Sequence, residues 1–279
     1  MRHLPKPLFG AQSTFEACVD SLDAGDLKTR LSSIANQIVA AETDYLHHGE
    51  QNSLYSIATA KAVGAASLED MKRLYKGTFV RSVKTRHLYH TLKKLPQNDT
   101  CPLCSQRTVT TLDHYLAQSL HPALVVTPAN LVPACSECNK LKLDKQPASA
   151  VEQTLHPYFD NLDSDRWLYA DVRQTRPAGL LFRASPPAAW PDIKKARVAR
   201  HFQVFGLGAL YASHAASELT SVREYLGKVM NAGGQAAVRE FLNGLAESAS
   251  AAHLNSWKAA SYFAFSESDW FCGGGFSQT

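Results

Sequence analysis

Four of the six cysteines in this 279-residue chain stand as two Cys-x-x-Cys pairs, Cys101/Cys104 and Cys135/Cys138. Two intervening residues let a tight turn aim both thiolates at one ion, and two such turns supply the ligands of a closed, tetrahedral, structural zinc site. A redox dithiol would need one pair only, in a thioredoxin-like setting. Zn²⁺ is therefore the expected structural cofactor, held by Cys101, Cys104, Cys135 and Cys138. Cys18 and Cys272 stand alone and read as buried, inert thiols. Between the pairs lie Asp113 and His114, Asn130 precedes the second pair, and Asn139 follows the last cysteine. Each of these has a plain reading by itself: Asp113 as a turn cap, Asn130 as a turn residue, Asn139 as a solvated side chain, His114 as a packed imidazole.

Together, "LDHYLAQ", "PANLVPAC" and "CNKLK" resemble the motif of the HNH, or ββα-metal, endonucleases. That pattern has Asp-His at the end of a first strand, Asn in the loop before a second, and His or Asn on the following helix. The helix position here is Asn139, so the resemblance is to the HNN variety. It implies that His114 is the general base, that Asp113 and Asn139 bind a catalytic divalent ion, and that Asn130 holds the loop by side-chain to backbone hydrogen bonds. The chemistry agrees. Phosphodiester hydrolysis needs an activated water and a cation on the developing negative charge. Neutral imidazole takes a proton near pH 7. Two oxygen donors with waters suit Mg²⁺ or another hard divalent ion. Lys140 and Lys142 follow on the helix as candidate contacts to substrate phosphate. His121 and His156 fall outside the motif and read as structural.

The elements that must position these groups are legible in outline. A strand is expected over Thr108–Leu112 with Asp113 and His114 at its end, a second at "NLVPAC", and a helix from "SECNKLKLDK" to Pro147. Strand, strand and helix have too little core to fold alone, and zinc supplies the missing stability. Upstream, "FEACVDSL" suits a short helix. One continuous helix is expected over 26–46, with Leu27, Leu31, Ile34, Ile38, Ala41 and Tyr45 on one face. Ser67 and Asp70 resemble a helix start, and helical patterns follow until Pro96. Downstream, "RWLYADVRQTRPAGLLFRA" reads as a hairpin. Helices are expected over Ile193–Tyr211, Ser217–Met230, Gln235–Ala246 and Asn255–Phe265, and "CGGGFSQT" as a frayed end. The expected fold is mainly α, with a small ββα-metal module, a four-cysteine zinc site and a short β-hairpin after it. Three regions are expected: 1–95 helical, 96–160 the module, and 161–279 the hairpin plus C-terminal helices.

The net charge of +4 is mild, but its distribution is not even. Eight basic residues and no acidic one lie between Met71 and Gln97, immediately before the first cysteine pair. That run suits a phosphate-facing surface. No secretory signal or membrane span is evident, so a soluble, cytoplasmic protein without a membrane partner is expected. Beyond the module, "RHLYHTL", "HPYFD", "RWLYADV" and "DWFCGGGF" give the layout a looser resemblance to the PtuB-type HNH proteins of Septu anti-phage defence and of certain retrons. That resemblance implies a defence effector acting on DNA, in preference to RNA, with an ABC/SMC-like ATPase partner. The related pattern often has Pro-Lys where this chain has Ala117-Gln118, which removes one possible phosphate contact. The chain has no Gly-x-x-x-x-Gly-Lys-Ser/Thr loop, so ATP dependence would come from another polypeptide. Three rival readings use the same residues: an RNA- or tRNA-directed toxin nuclease, a non-catalytic zinc module that binds nucleic acid, and an adaptor whose helices are the working part.

Overall fold

A computed structural model describes residues 1–142 and 146–278. The chain divides into two compact units, Met1–Asn161 and Leu162–Thr279. It is mainly helical, and the strands among the described residues form three separate two-stranded antiparallel sheets. No described helix is long and apolar enough to cross a membrane.

The first unit begins with an irregular arm and then α1 (Ala11–Asp20), which buries Ala11, Phe15, Cys18 and Val19 at three- and four-residue steps. The expected helix over 26–46 is two helices, α2 (Asp26–Ser32) and α3 (Ala35–Glu50). The apolar stripe is in place, with Leu31, Ile34, Ile38 and Tyr45 buried. The break falls at Ser33 and Ile34, where the Ser33 hydroxyl donates to the Arg30 carbonyl at 2.7 Å and competes with the helix ladder. Strands β1 (Ala62–Val63) and β2 (Ala66–Ser67) form a small hairpin before α4 (Leu68–Leu74). A capping box starts α4: Ser67 Oγ accepts from Asp70 N and Asp70 Oδ2 from Ser67 N, both at 3.1 Å. Asp70 also takes two hydrogen bonds from Arg30, which hold its carboxyl below the usual range and tie α2 to α4. A π-helical turn, Tyr75–Phe79, continues α4, and α5 (Arg86–Lys93) follows.

Strands β3 (Thr111–His114) and β4 (Leu131–Ala134) pair antiparallel, Asp113 opposite Val132 and His114 opposite Leu131. Strand β3 starts later than Thr108, which instead makes an isolated bridge to Thr100. Helix α6 (Ser136–Lys142) follows β4 directly. Its expected continuation through 143–145 lies outside the described residues. Regions 1–95 and 96–160 share one core, in which Phe15, Ile38, Leu74 and Phe79 from the helices meet Leu112, Val125 and Leu131. That common core explains why they form a single compact unit: the ladder buries its apolar face against the preceding helices.

The second unit holds the hairpin β5 (Leu168–Arg173) and β6 (Gly179–Ala184), then α7 (Asp192–Val204), α8 (Leu207–Ala252), α9 (Trp257–Glu267) and α10 (Asp269–Cys272). The stretch expected as two helices is one element, α8, turned at Gly234, whose φ of 66° and ψ of −161° only glycine adopts readily. Buried Asn255 pins the hairpin: its Oδ1 accepts from Trp167 N at 2.8 Å and its Nδ2 donates to the Asp165 carbonyl at 2.9 Å. The expected frayed end is packed at least as far as Phe276, which is buried, and Phe271 just before it is buried and stacks on Phe265.

Gly49 offers a test of the first core. A Cβ there would lie 2.4 Å from the Phe159 ring, which itself packs on His156. Helix propensity alone favours Gly49→Ala by about 1 kcal/mol. Overpacking costs about 1–3 kcal/mol and decides the sign. The urea midpoint of Gly49→Ala is expected to fall below that of the parent; a rise would show that the ring moves aside freely.

Candidate functional site

The sulphurs of Cys101, Cys104, Cys135 and Cys138 all lie within 4.8 Å of one another, and all four residues are buried and free of disulfides. A tetrahedral zinc–thiolate site needs sulphurs about 3.8 Å apart, so the four fit a shared metal ion. Backbone N–H groups already point at two of them, from Arg107 to Cys104 Sγ and from Cys138 to Cys135 Sγ, each at 3.4 Å. Such bonds stabilise thiolates and orient them. Ser105 completes the first turn with φ of 55° and donates its N–H to the Cys101 carbonyl. The Arg107 guanidinium interacts with three of the sulphurs and offsets the charge of a four-thiolate centre.

The cluster sits at both ends of the candidate site. Cys101 and Cys104 precede β3, while Cys135 and Cys138 straddle the start of α6, where Asn139 N–H donates to the Cys135 carbonyl at 3.1 Å. Asp113 and His114 close β3 and are both buried. His114 Nε2 lies 2.9 Å from the Val125 carbonyl oxygen. A carbonyl only accepts, so Nε2 carries the proton and the neutral ring keeps its lone pair on Nδ1. Burial pushes the His114 pKa down to about 4, so the ring is neutral at pH 7. The Tyr75 ring stands edge-on to the imidazole at 4.7 Å and fixes its plane. Asn130 is fully buried and binds the loop: Oδ1 accepts from Leu116 N at 2.7 Å, and Nδ2 donates to the carbonyls of Leu116 and Leu124 at 3.1 and 3.2 Å.

A cleft of about 650 Å³ is lined by Asp113, His114, Asn139, Lys140 and Lys142, so it gathers every sequence-predicted site residue outside the cysteines except Asn130, which acts from behind the loop. Asn139 and Lys140 are exposed. Lys142 differs from its expected place on substrate phosphate. Its ammonium lies 2.9 Å from Asp113 Oδ2 and donates to the His114 carbonyl at 2.7 Å. Asp113 Oδ2 is buried, and the Lys142 ammonium is its charged partner. Burial raises the Asp113 pKa and Lys142 partly offsets this. His121 and His156 are packed elsewhere, on Gln146 and Tyr45.

Three contributors were not identified from sequence. The Val125 carbonyl has no side-chain signature. Tyr75 is an aromatic on an apolar face, indistinguishable there from core. Lys76 lines the cleft, and its signal was present as part of the acid-free basic run. The metal centre makes a direct prediction. The purified full chain carries about one equivalent of zinc by elemental analysis. Stripping it with a chelator under mild denaturant lowers Tm by roughly 10 °C or more. A metal-free preparation with unchanged Tm would contradict the assignment.

No family model matches the chain, and no solved structure matches it. Protein ea31 of Escherichia phage lambda is 28% identical over 168 residues, 59% of this chain and 57% of that protein. The chain thus spans a little over half the length of that relative.

Proposed function

We propose that this protein is a metal-dependent nuclease that hydrolyses phosphodiester bonds, DNA before RNA, with His114 as its base. The single observation that supports the reading is that one cleft collects a buried carboxylate, a neutral imidazole of defined tautomer, a carboxamide and lysines. A zinc module with no catalytic role would not need a neutral imidazole locked by Val125 and Tyr75 beside a buried carboxylate.

In this mechanism His114 Nδ1 takes a proton from a water as the water oxygen bonds to phosphorus and the opposite P–O ester bond breaks. The leaving oxygen takes a proton from solvent. The Nε2–H bond to Val125 holds the ring in the tautomer that can accept, and Tyr75 limits its rotation. Asn130 keeps the loop that supplies the Val125 carbonyl closed against β3. Asp113 and Asn139 would hold a divalent ion of the Mg²⁺ type, whose chemistry is to stabilise charge on the reacting phosphate. Asp113 and Asn139 line one cleft, and a carboxylate with a carboxamide is an oxygen-donor pair that fits a hard cation. Of the two lysines of α6 that line the cleft, Lys140 is exposed and can meet phosphate, while Lys142 balances the Asp113 carboxylate.

We extend the proposal to biology through the resemblance to Septu-type HNH proteins: an anti-phage effector paired with an ATPase.

The test compares parent and His114→Ala on supercoiled plasmid, linear duplex and tRNA, with Mg²⁺ and with chelator. The parent is expected to cut in Mg²⁺ alone, duplex faster than tRNA, and His114→Ala to lose about 10²–10⁴-fold in rate. Equal cutting by the two proteins would remove His114 from the chemistry.

A further inference from the structure

The cleft has lining residues from a second source, α4 and the π turn behind it: Glu69, Lys72, Tyr75 and Lys76. The π turn closes with Val80 N–H on the Tyr75 carbonyl at 3.0 Å. One extra residue per turn re-aims side chains, and such turns recur at functional sites. Here it turns Tyr75 to His114 and sends Thr78 and Phe79 into the core. The loop polar groups behind it are satisfied, with Thr78 Oγ1 donating to the Leu74 carbonyl and Thr85 Oγ1 to the Thr78 carbonyl.

The charges on this wall are unequal. Lys72 pairs with Glu69 at 2.8 Å. Lys76 is exposed and pairs with no acidic side chain among the described residues. No acidic residue occurs in sequence between Met71 and Gln97 to neutralise it. An unpaired lysine on the wall of a cleft that also holds Lys140 gives the cleft a cationic site on each of two separate elements.

We propose that α4 and its π turn form a phosphate-binding wall, in which Lys76, with Lys140 from α6, holds backbone phosphates beside the scissile one. The inference rests on the nuclease reading and deepens it: the preferred substrate is a polynucleotide strand several phosphates long, not a mononucleotide or a small phosphodiester. Contacts of this kind fix the strand and carry no base information, so the wall contributes affinity without sequence preference.

The test uses full-length His114→Ala protein and fluorescein-labelled 20-mers, single- and double-stranded, titrated by anisotropy over a range of NaCl concentrations. Gels of the same samples report cutting. Adding Lys76→Ala is expected to weaken binding about 5-fold and to reduce the slope of log K against log[salt] by about 0.7–0.9, the signature of one lost phosphate contact. Adding Lys76→Arg retains the slope. Adding Lys228→Ala, on a surface helix of the other unit, leaves both quantities unchanged. Binding by His114→Ala with no change on adding Lys76→Ala would overturn the wall while leaving the nuclease reading intact. A lost slope in a His114→Ala protein that still cuts would support the wall and sink His114 as base. No binding of either 20-mer would overturn the wall outright.

Discussion

Four buried thiols within 4.8 Å of one another are the constraint on which the candidate site depends. The seven described residues of helix α6 are too few to hold a helix in water by their own hydrogen bonds. It is fixed from outside, by Cys135 at its threshold and Cys138 one turn in, both converging on Cys101 and Cys104. That convergence sets the rotation of α6 and so decides that Asn139, Lys140 and Lys142 share a cleft with Asp113 and His114. The register of β3 on β4 sets the other half, because Asp113 and His114 lie opposite Val132 and Leu131, immediately before the second cysteine pair.

Within that frame the electrostatics are tuned by burial. A neutral imidazole and an anionic carboxylate side by side need different environments. His114 is kept neutral by desolvation, and its one committed hydrogen bond leaves Nδ1 as the acceptor. Asp113 suffers the same desolvation but has Lys142 beside it. The lysine therefore does two jobs, offsetting the carboxylate and bracing the His114 carbonyl, and both follow from its place one turn beyond Cys138 on α6.

The local parts of this arrangement were legible in sequence, and the tertiary parts were not. Cys-x-x-Cys spacing states its own geometry, since two residues between thiols close a turn. The Ser67–Asp70 capping box is likewise a four-residue motif. Where competing local and tertiary terms met, periodicity failed. Ser33 and Ile34 interrupt a helix whose apolar stripe ran on unbroken, and Phe271 and Phe276 are buried in a glycine-rich end that looked frayed. Lys142 is the sharpest case. Sequence places it on the helix beside Lys140, yet only the packing of α6 on β3 sends one lysine to Asp113 and leaves the other in solvent. The backbone carbonyl of Val125 and the edge-on Tyr75 ring could not be read, because both act through position and not through residue type.

X-ray absorption at the zinc edge of the native full-length protein tests the central constraint most directly. Four sulphur ligands at about 2.3 Å and no nitrogen or oxygen in the inner shell are the expected result. A mixed nitrogen or oxygen shell, or fewer than four sulphurs, would mean that the two cysteine pairs do not share one ion and that α6 is held in some other way.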